Sequence, residues 1–351
     1  METVRVGVVG SGFMGRTYAE VLDKHARGAE LVAVAVGRRA PDLASDYGIA
    51  CEASIEALTA RPDIDAVILA TPEAIRLDQV RVAAAAGKHI LSEKPLAPDV
   101  AQADQMIAAC REAGVTLMVC QTARYRGTLW RAKQLVDEGR IGKVRQIRTY
   151  AMGTLQDYTE FVGLKPWIAD PEGGGFIYDQ AVHNFDFMRW LTGSEVVQVF
   201  AYVATQSDVP WPGMTMMAQI RYASGAMAQV NLCFELPGTD FPEHTTRFQI
   251  IGEKGLLDLD MVTNLRLGMN GTWEVLWEQP PIDFVNEPNS PIRLEAHAAM
   301  VQEFLDSLLQ GRAPAIPGED GRAAIETCEA CMLSARIGQA VTLPLSRASI
   351  Q

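Results

Sequence analysis

Apolar residues recur along this chain in two rhythms. Over the first third, short runs of β-branched and small apolar residues at 4–9, 30–36, 66–70, 89–91 and 116–120 alternate with stretches of helical spacing at 16–24, 55–59, 77–86 and 100–112. Strands alternating with helices predict a parallel, doubly wound sheet. Ligands of such sheets bind beyond the carboxyl ends of the strands. The loops after Val9, Val36, Ala70 and Leu91 are therefore expected to converge on one crevice. Past Ala123 the pattern changes. A helix at 128–138 is followed by alternating strands at 143–152, 196–204, 214–222, 226–234, 247–251, 255–260 and 273–277. Turn signals such as Ala223-Ser224-Gly225 and Gly252-Glu253-Lys254-Gly255 join several of them as hairpins, which predicts a large, mostly antiparallel sheet. Helices return at 295–309 and 321–337, and 340–345 reads as an edge strand. The expected plan is α/β, with a first domain over 1–123 and a second over 124–351.

The most informative stretch is Gly10-Ser11-Gly12-Phe13-Met14-Gly15, set directly after the first strand and before the first helix. The first glycine suits a tight turn, the second lets backbone approach a pyrophosphate, and the third lets helix and strand pack closely. Free N–H groups and the helix dipole at that helix start favour an anion. A dinucleotide site over Gly10, Gly12, Phe13, Met14 and Gly15 is expected. Preference for NAD usually comes with a carboxylate ending the second strand. Here the strand ends Val36-Gly37-Arg38-Arg39, with no acid before Asp42. Guanidinium groups suit a ribose phosphate, so NADP is expected, with NAD as the alternative. The plainer reading leaves Arg38 and Arg39 solvated, or one of them stacked on adenine.

Composition narrows the partners. The 351 residues are enough for two domains, and a net charge of −12 argues against nucleic acid and anionic membranes. The N-terminus enters a strand at once, without the pattern of a signal peptide, and no apolar run approaches a membrane span. A reduced, cytoplasmic setting is expected. Of six cysteines, Cys328 and Cys331 form the one close pair, on a predicted helix and without a second pair to complete a zinc site.

Two further clusters carry chemistry. Ser92-Glu93-Lys94-Pro95 ends a strand at the crevice, where a lysine can donate to a substrate oxygen. Gly173-Gly174-Gly175 precedes a helix on which Asp179, His183 and Asp186 share a face at i, i+4 and i+7. Three readings compete for it: a capped helix whose histidine pairs with an acid, a metal site lacking an obvious third ligand, and acid–base catalysis near neutral pH.

Taken in order, Gly10 to Gly15, Glu93-Lys94-Pro95 and the triple glycine followed by Asp179 and His183 closely resemble the glucose–fructose oxidoreductase/inositol dehydrogenase/MocA family. Trp167-Ile168-Ala169-Asp170-Pro171, Ile251 to Gly255 and Gly318 to Arg322 extend the resemblance over nearly the whole chain. It implies a Rossmann domain followed by an α+β domain whose open sheet forms the interface of a homodimer or homotetramer. It also implies hydride transfer between nicotinamide C4 and a carbinol carbon of a polyhydroxylated substrate, without a metal. By position, Lys94 would bond the reacting oxygen, His183 would exchange its proton, and Asp179 would bind a neighbouring hydroxyl. Cofactor contacts would come from Gly10, Gly12, Phe13, Met14, Gly15, Gly37, Arg38, Arg39, Thr71, Pro72, Arg76, Glu93, Lys94 and Gln121. Substrate contacts would come from Lys94, Arg124, Tyr125, Lys165, Trp167, Asp179 and His183. The chain departs from the family where Glu73 and Arg76 replace a frequent asparagine and histidine. Competing functions are a dehydrogenase of a non-sugar cyclic diol, a nicotinamide-binding regulator without turnover, and glycoside cleavage through transient oxidation.

Overall fold

The structure is a computed structural model and describes residues 2–164, 175–239, 246–283 and 286–346. The chain divides into two compact units, Met1–Tyr125 with Ile282–Arg322 and Arg126–Pro281 with Ala323–Gln351. The chain thus comes back to the first unit late in the sequence.

The first unit opens with β1 (Val4–Val9), α1 (Phe13–Lys24), β2 (Ala29–Ala35), α2 (Ala40–Tyr47), β3 (Ala50–Glu52) and α3 (Ile55–Thr59). It continues with β4 (Ala66–Leu69), α4 (Arg76–Ala85), β5 (His89–Ser92), α5 (Val100–Ala113) and β6 (Leu117–Val119). All neighbouring strands run parallel, in the order β3-β2-β1-β4-β5-β6. This is the doubly wound Rossmann order, and it reverses between β1 and β4. β4 is buried throughout and β1 is buried except at Arg5, as strands covered on both faces must be. Arg5 is accommodated by Asp65, whose carboxylate accepts its Nη2–H at 2.8 Å and its backbone N–H at 2.9 Å. On β5, the half-buried His89 accepts the Thr116 N–H on Nδ1 at 3.0 Å. The short strand β3, at the sheet edge, was not apparent in the sequence pattern.

The second unit begins with α6 (Gly127–Asp137), β7 (Val144–Thr154), α7 (Leu155–Leu164) and α8 (Gly175–Thr192). There follow β8 (Val196–Ala204), β9 (Thr215–Tyr222), β10 (Met227–Leu236), β11 (Thr246–Gly252), β12 (Leu256–Asp260), β13 (Asn264–Met269) and β14 (Thr272–Glu278). The chain then forms α9 (Pro291–Gln310) of the first unit, α10 (Gly318–Ile337), and the edge strand β15 (Val341–Thr342). The sheet of the second unit has the order β14-β13-β12-β11-β7-β10-β9-β8-β15. Its pairs are antiparallel as expected, except β10 with β7, which run parallel. Burial alternates strictly along β9: Met216, Ala218, Ile220 and Tyr222 are buried, while Met217, Gln219 and Arg221 are exposed.

α9 belongs with the Rossmann sheet because it packs on α1. Its apolar stripe, Leu294, Met300, Val301, Phe304 and Leu305, is buried at helical spacing. In α10, Cys328 and Cys331 are buried thiols, and burial pushes the Cys331 thiol up to about 12. Among the described residues, no helix is long and apolar enough to cross a membrane.

Candidate active site

In the first unit the carboxyl ends of β1, β2, β4, β5 and β6 carry the glycine loop, the Arg38–Arg39 turn, Thr71, Lys94 and Gln121. The glycine loop is built by close approach. A Cβ on Gly15 would lie 1.9 Å from the Gly10 carbonyl oxygen, and one on Gly10 would lie 2.6 Å from the Ala70 oxygen. By contrast, no atom lies within 4 Å of a Cβ placed on Gly12. α1 starts at Phe13, three residues earlier than the apolar spacing suggested, and no side chain caps its first turn. Its leading N–H groups are thus available to an anion.

The turn after β2 is tied to this loop. Val36 has φ 67° and Gly37 φ 97°. The Arg39 N–H donates to the Ser11 hydroxyl at 3.2 Å. Gly37, Arg38 and Arg39 are exposed. Ser11, unremarked in the sequence, therefore couples the turn to the glycine loop. A second unforeseen residue is Arg293 of α9. It is 1% exposed, donates to Thr17 Oγ1 at 2.9 Å, and sets its guanidinium carbon 4.5 Å from the centre of the Phe13 ring. Burial lowers its pKa.

Around Lys94 the contacts are dense. Tyr18 of α1 donates its hydroxyl to Glu93 Oε1, and the Lys94 N–H donates to Glu93 Oε2 at 2.9 Å. Burial, with Cys120 and Glu93 nearby, raises the Tyr18 pKa well above its ordinary value. Thr71 donates its hydroxyl to Gln79 Oε1 at 2.5 Å, and Pro72 opens a single 3₁₀ turn, 73–75. Lys94 itself is half-buried among buried neighbours, and the Lys94–Pro95 peptide is cis. At the end of β6, Gln121 is 1% exposed and its Oε1 has no hydrogen-bond partner. An orphaned amide oxygen, an uncapped helix start and open space at Gly12 fit a dinucleotide laid across these strand ends.

Two arginines expected to face ligands are turned inward. Arg76, expected beside the cofactor, is 2% exposed; its Nε donates to the Thr71 carbonyl at 2.8 Å and its Nη1 to that of Glu93 at 2.6 Å. Arg124, expected at the substrate, is 4% exposed and pairs with Asp320 of α10 at 2.8 Å. In both cases a buried guanidinium must spend its donors on acceptors already inside the fold. Tyr125 follows, half-buried.

The second unit holds the other cluster on α8. Phe176, in the first turn, packs against Tyr158 of α7 and Phe234 of β10, with ring centres 5.5 and 6.3 Å away. Asn184 donates to Thr149 of β7 at 3.0 Å, and Phe187 meets Phe248 of β11 edge-on at 4.8 Å. These contacts seat one side of the helix on the sheet. Asp179 and His183, four residues apart, fall at the border of that buried side and are half-buried, whereas Asp186 is 1% exposed. Lys165 and Trp167 lie outside the described residues.

The family described as "Oxidoreductase family, NAD-binding Rossmann fold" matches residues 4–121, and "Oxidoreductase family, C-terminal alpha/beta domain" matches 133–343. The chain is 28% identical to a 1,5-anhydro-D-fructose reductase of Ensifer adhaerens, over 97% of this chain and 98% of that one. It is also 28% identical to an inositol 2-dehydrogenase of Rhizobium meliloti, over 95% and 97%. A solved scyllo-inositol dehydrogenase from Lactobacillus casei, holding NAD(H) and scyllo-inositol, shares the fold with a TM-score of 0.78 at 24% identity, over 97% and 99% of the two chains.

Proposed function

We propose, because this chain belongs to the glucose–fructose oxidoreductase/inositol dehydrogenase/MocA family of oxidoreductases, that it transfers a hydride between nicotinamide C4 and a carbinol carbon of a sugar, inositol or related cyclic polyol. The observation that carries this reading is the uncapped, glycine-lined start of α1 sharing one set of strand ends with Lys94. The two curated relatives, aligned over nearly the whole chain, are named for 1,5-anhydro-D-fructose and inositol. When bound, the nicotinamide supplies the hydride acceptor for oxidation or the donor for reduction.

The chain's own residues handle the oxygen and its proton. Lys94 Nζ donates to the reacting oxygen, so negative charge developing there as the hydride leaves meets a cation. His183 accepts the hydroxyl proton in oxidation and returns it in reduction. Asp179, one helical turn earlier, binds an adjacent hydroxyl and orients the ring. The dinucleotide is NADP on this reading. Arg38 and Arg39 stand exposed after β2, and the first acid beyond them, Asp42, lies within α2. The enzyme works as a homo-oligomer joined through the sheet of the second unit, where Tyr202, Met217 and Met227 are exposed.

A screen of sugars, inositols and cyclic diols, followed at the absorbance of the reduced cofactor, tests the reaction. Lys94→Ala and His183→Ala are each expected to lower kcat by about two to four powers of ten. Near-normal turnover in both variants overturns the assignment. Titration with NADP and NAD tests the cofactor, and tighter binding of NAD overturns the NADP reading.

A further inference from the structure

The hydrogen bonds of Arg76 bracket one residue. Besides the carbonyls of Thr71 and Glu93, its Nη1 also reaches the Pro95 carbonyl. Glu93 and Pro95 are the two neighbours of Lys94. The remaining terminal nitrogen, Nη2, lies 3.9 Å from Glu73 Oε2, and Glu73 is itself 6% exposed. One guanidinium thus ties the end of β4 to the main chain on both sides of Lys94. The Glu93 side chain closes the arrangement from the opposite element by accepting from Tyr18 of α1 and from the Lys94 N–H. Arg76 occupies a position where the chain departs from the family pattern. A planar fork with five donors in fixed directions lets Nε hold the Thr71 carbonyl while Nη1 holds those of Glu93 and Pro95, a span that the compact ammonium of a shorter side chain does not reproduce. Groups that must meet a reacting atom within about half an ångström depend on such support.

We propose that Arg76 is a positioning residue for Lys94: by holding the carbonyls of Glu93 and Pro95 together it fixes where the Lys94 ammonium enters the crevice. The proposal rests on the role of Lys94 given above, and its test separates the two. Turnover with the most active polyol or sugar of the screen is measured for Arg76→Lys, for Lys94→Ala and for the double variant. Affinity for NADPH is measured by fluorescence and folding by thermal unfolding.

Arg76→Lys keeps a buried cation but not the fork that holds the Thr71, Glu93 and Pro95 carbonyls at once. It is expected to lower kcat by about ten- to a hundredfold while NADPH binds nearly as tightly as to the unaltered chain. In the Lys94→Ala background the same change is expected to cost nothing further, because the two residues act as one unit. Multiplying losses, or an Arg76→Lys defect confined to NADPH affinity, overturn the proposal and leave the role of Lys94 intact. Unaltered turnover in Lys94→Ala alone overturns the underlying reading. If Arg76→Lys does not fold, the pair Arg76→Gln with Glu73→Gln, which removes the bridge and its counter-charge together, takes its place in the same cycle. A loss that vanishes without Lys94 supports the proposal, and one that persists overturns it.

Discussion

A Cβ on Gly37 would stand 2.4 Å from Ser11 Oγ, and the Gly37 φ of 97° belongs to a region that side chains rarely adopt. That one residue lets the chain turn under the glycine loop and present Arg38 and Arg39 outward. Arg38→Ala is accordingly expected to weaken NADP by about tenfold or more and NAD hardly at all, since a charge-assisted bond contributes about 1.5–3 kcal/mol. Equal losses for both cofactors, in a fluorescence titration, point to a structural arginine. Residue identity and spacing were enough to place the glycine loop and Lys94 at strand ends, and Asp179 and His183 one turn apart on a helix. They could not reveal the direction of an arginine. Arg76 and Arg124 stand at crevice positions, yet their donors are taken by carbonyls and a carboxylate assembled by the fold. Arg293 was invisible for a related reason: its partner Thr17 is 276 positions away in sequence.

Elements with clear periodicity were legible, and those lacking it were not. β4 is a continuous apolar run covered on both faces, and β1, β2 and β5 hold shorter buried ones at Val6–Val9, Ala33–Ala35 and Ile90–Leu91. β3 spans three residues, Ala50–Glu52, too few to establish a period. β13 has alternating Leu265 and Leu267 but also Gly268, where a Cβ would meet the Trp273 ring at 3.0 Å. The Rossmann strands also contain a titrating joint. Burial holds the pKa of His89 on β5 below its ordinary 6.5. The unfolded chain therefore takes up the proton first as pH falls. Stability from this site is complete above about pH 6.5 and is lost below it, toward the folded-state pKa. His89→Asn is expected to flatten the fall in melting temperature between about pH 7.5 and 5. Parallel curves for the two proteins would assign the acid sensitivity elsewhere.

At the scale of the whole molecule, the sheet of the second unit has one face whose exposed side chains include Tyr202, Met217 and Met227. Cross-strand register sets Tyr202 beside Met217, and Met227 beside Arg221. Met217→Glu places a charge within this surface. On the proposed assembly it is expected to shift the mass measured by light scattering toward a single chain, and an unchanged mass would count against assembly through this face. The segment Ile282–Arg322 groups with the first unit, and its helix carries an ordinary apolar stripe that says nothing about which sheet it serves.

That late segment has a consequence for biosynthesis. A ribosome that has released Tyr125 has delivered every Rossmann strand but not α9, the helix that packs against α1. The nascent cofactor-binding unit must wait, with an apolar flank uncovered, for on the order of ten seconds or more until translation reaches Gln310. A gene fragment ending near codon 125 would therefore encode an incomplete body, and a minimal cofactor-binding protein would need residues 282–322 grafted onto it.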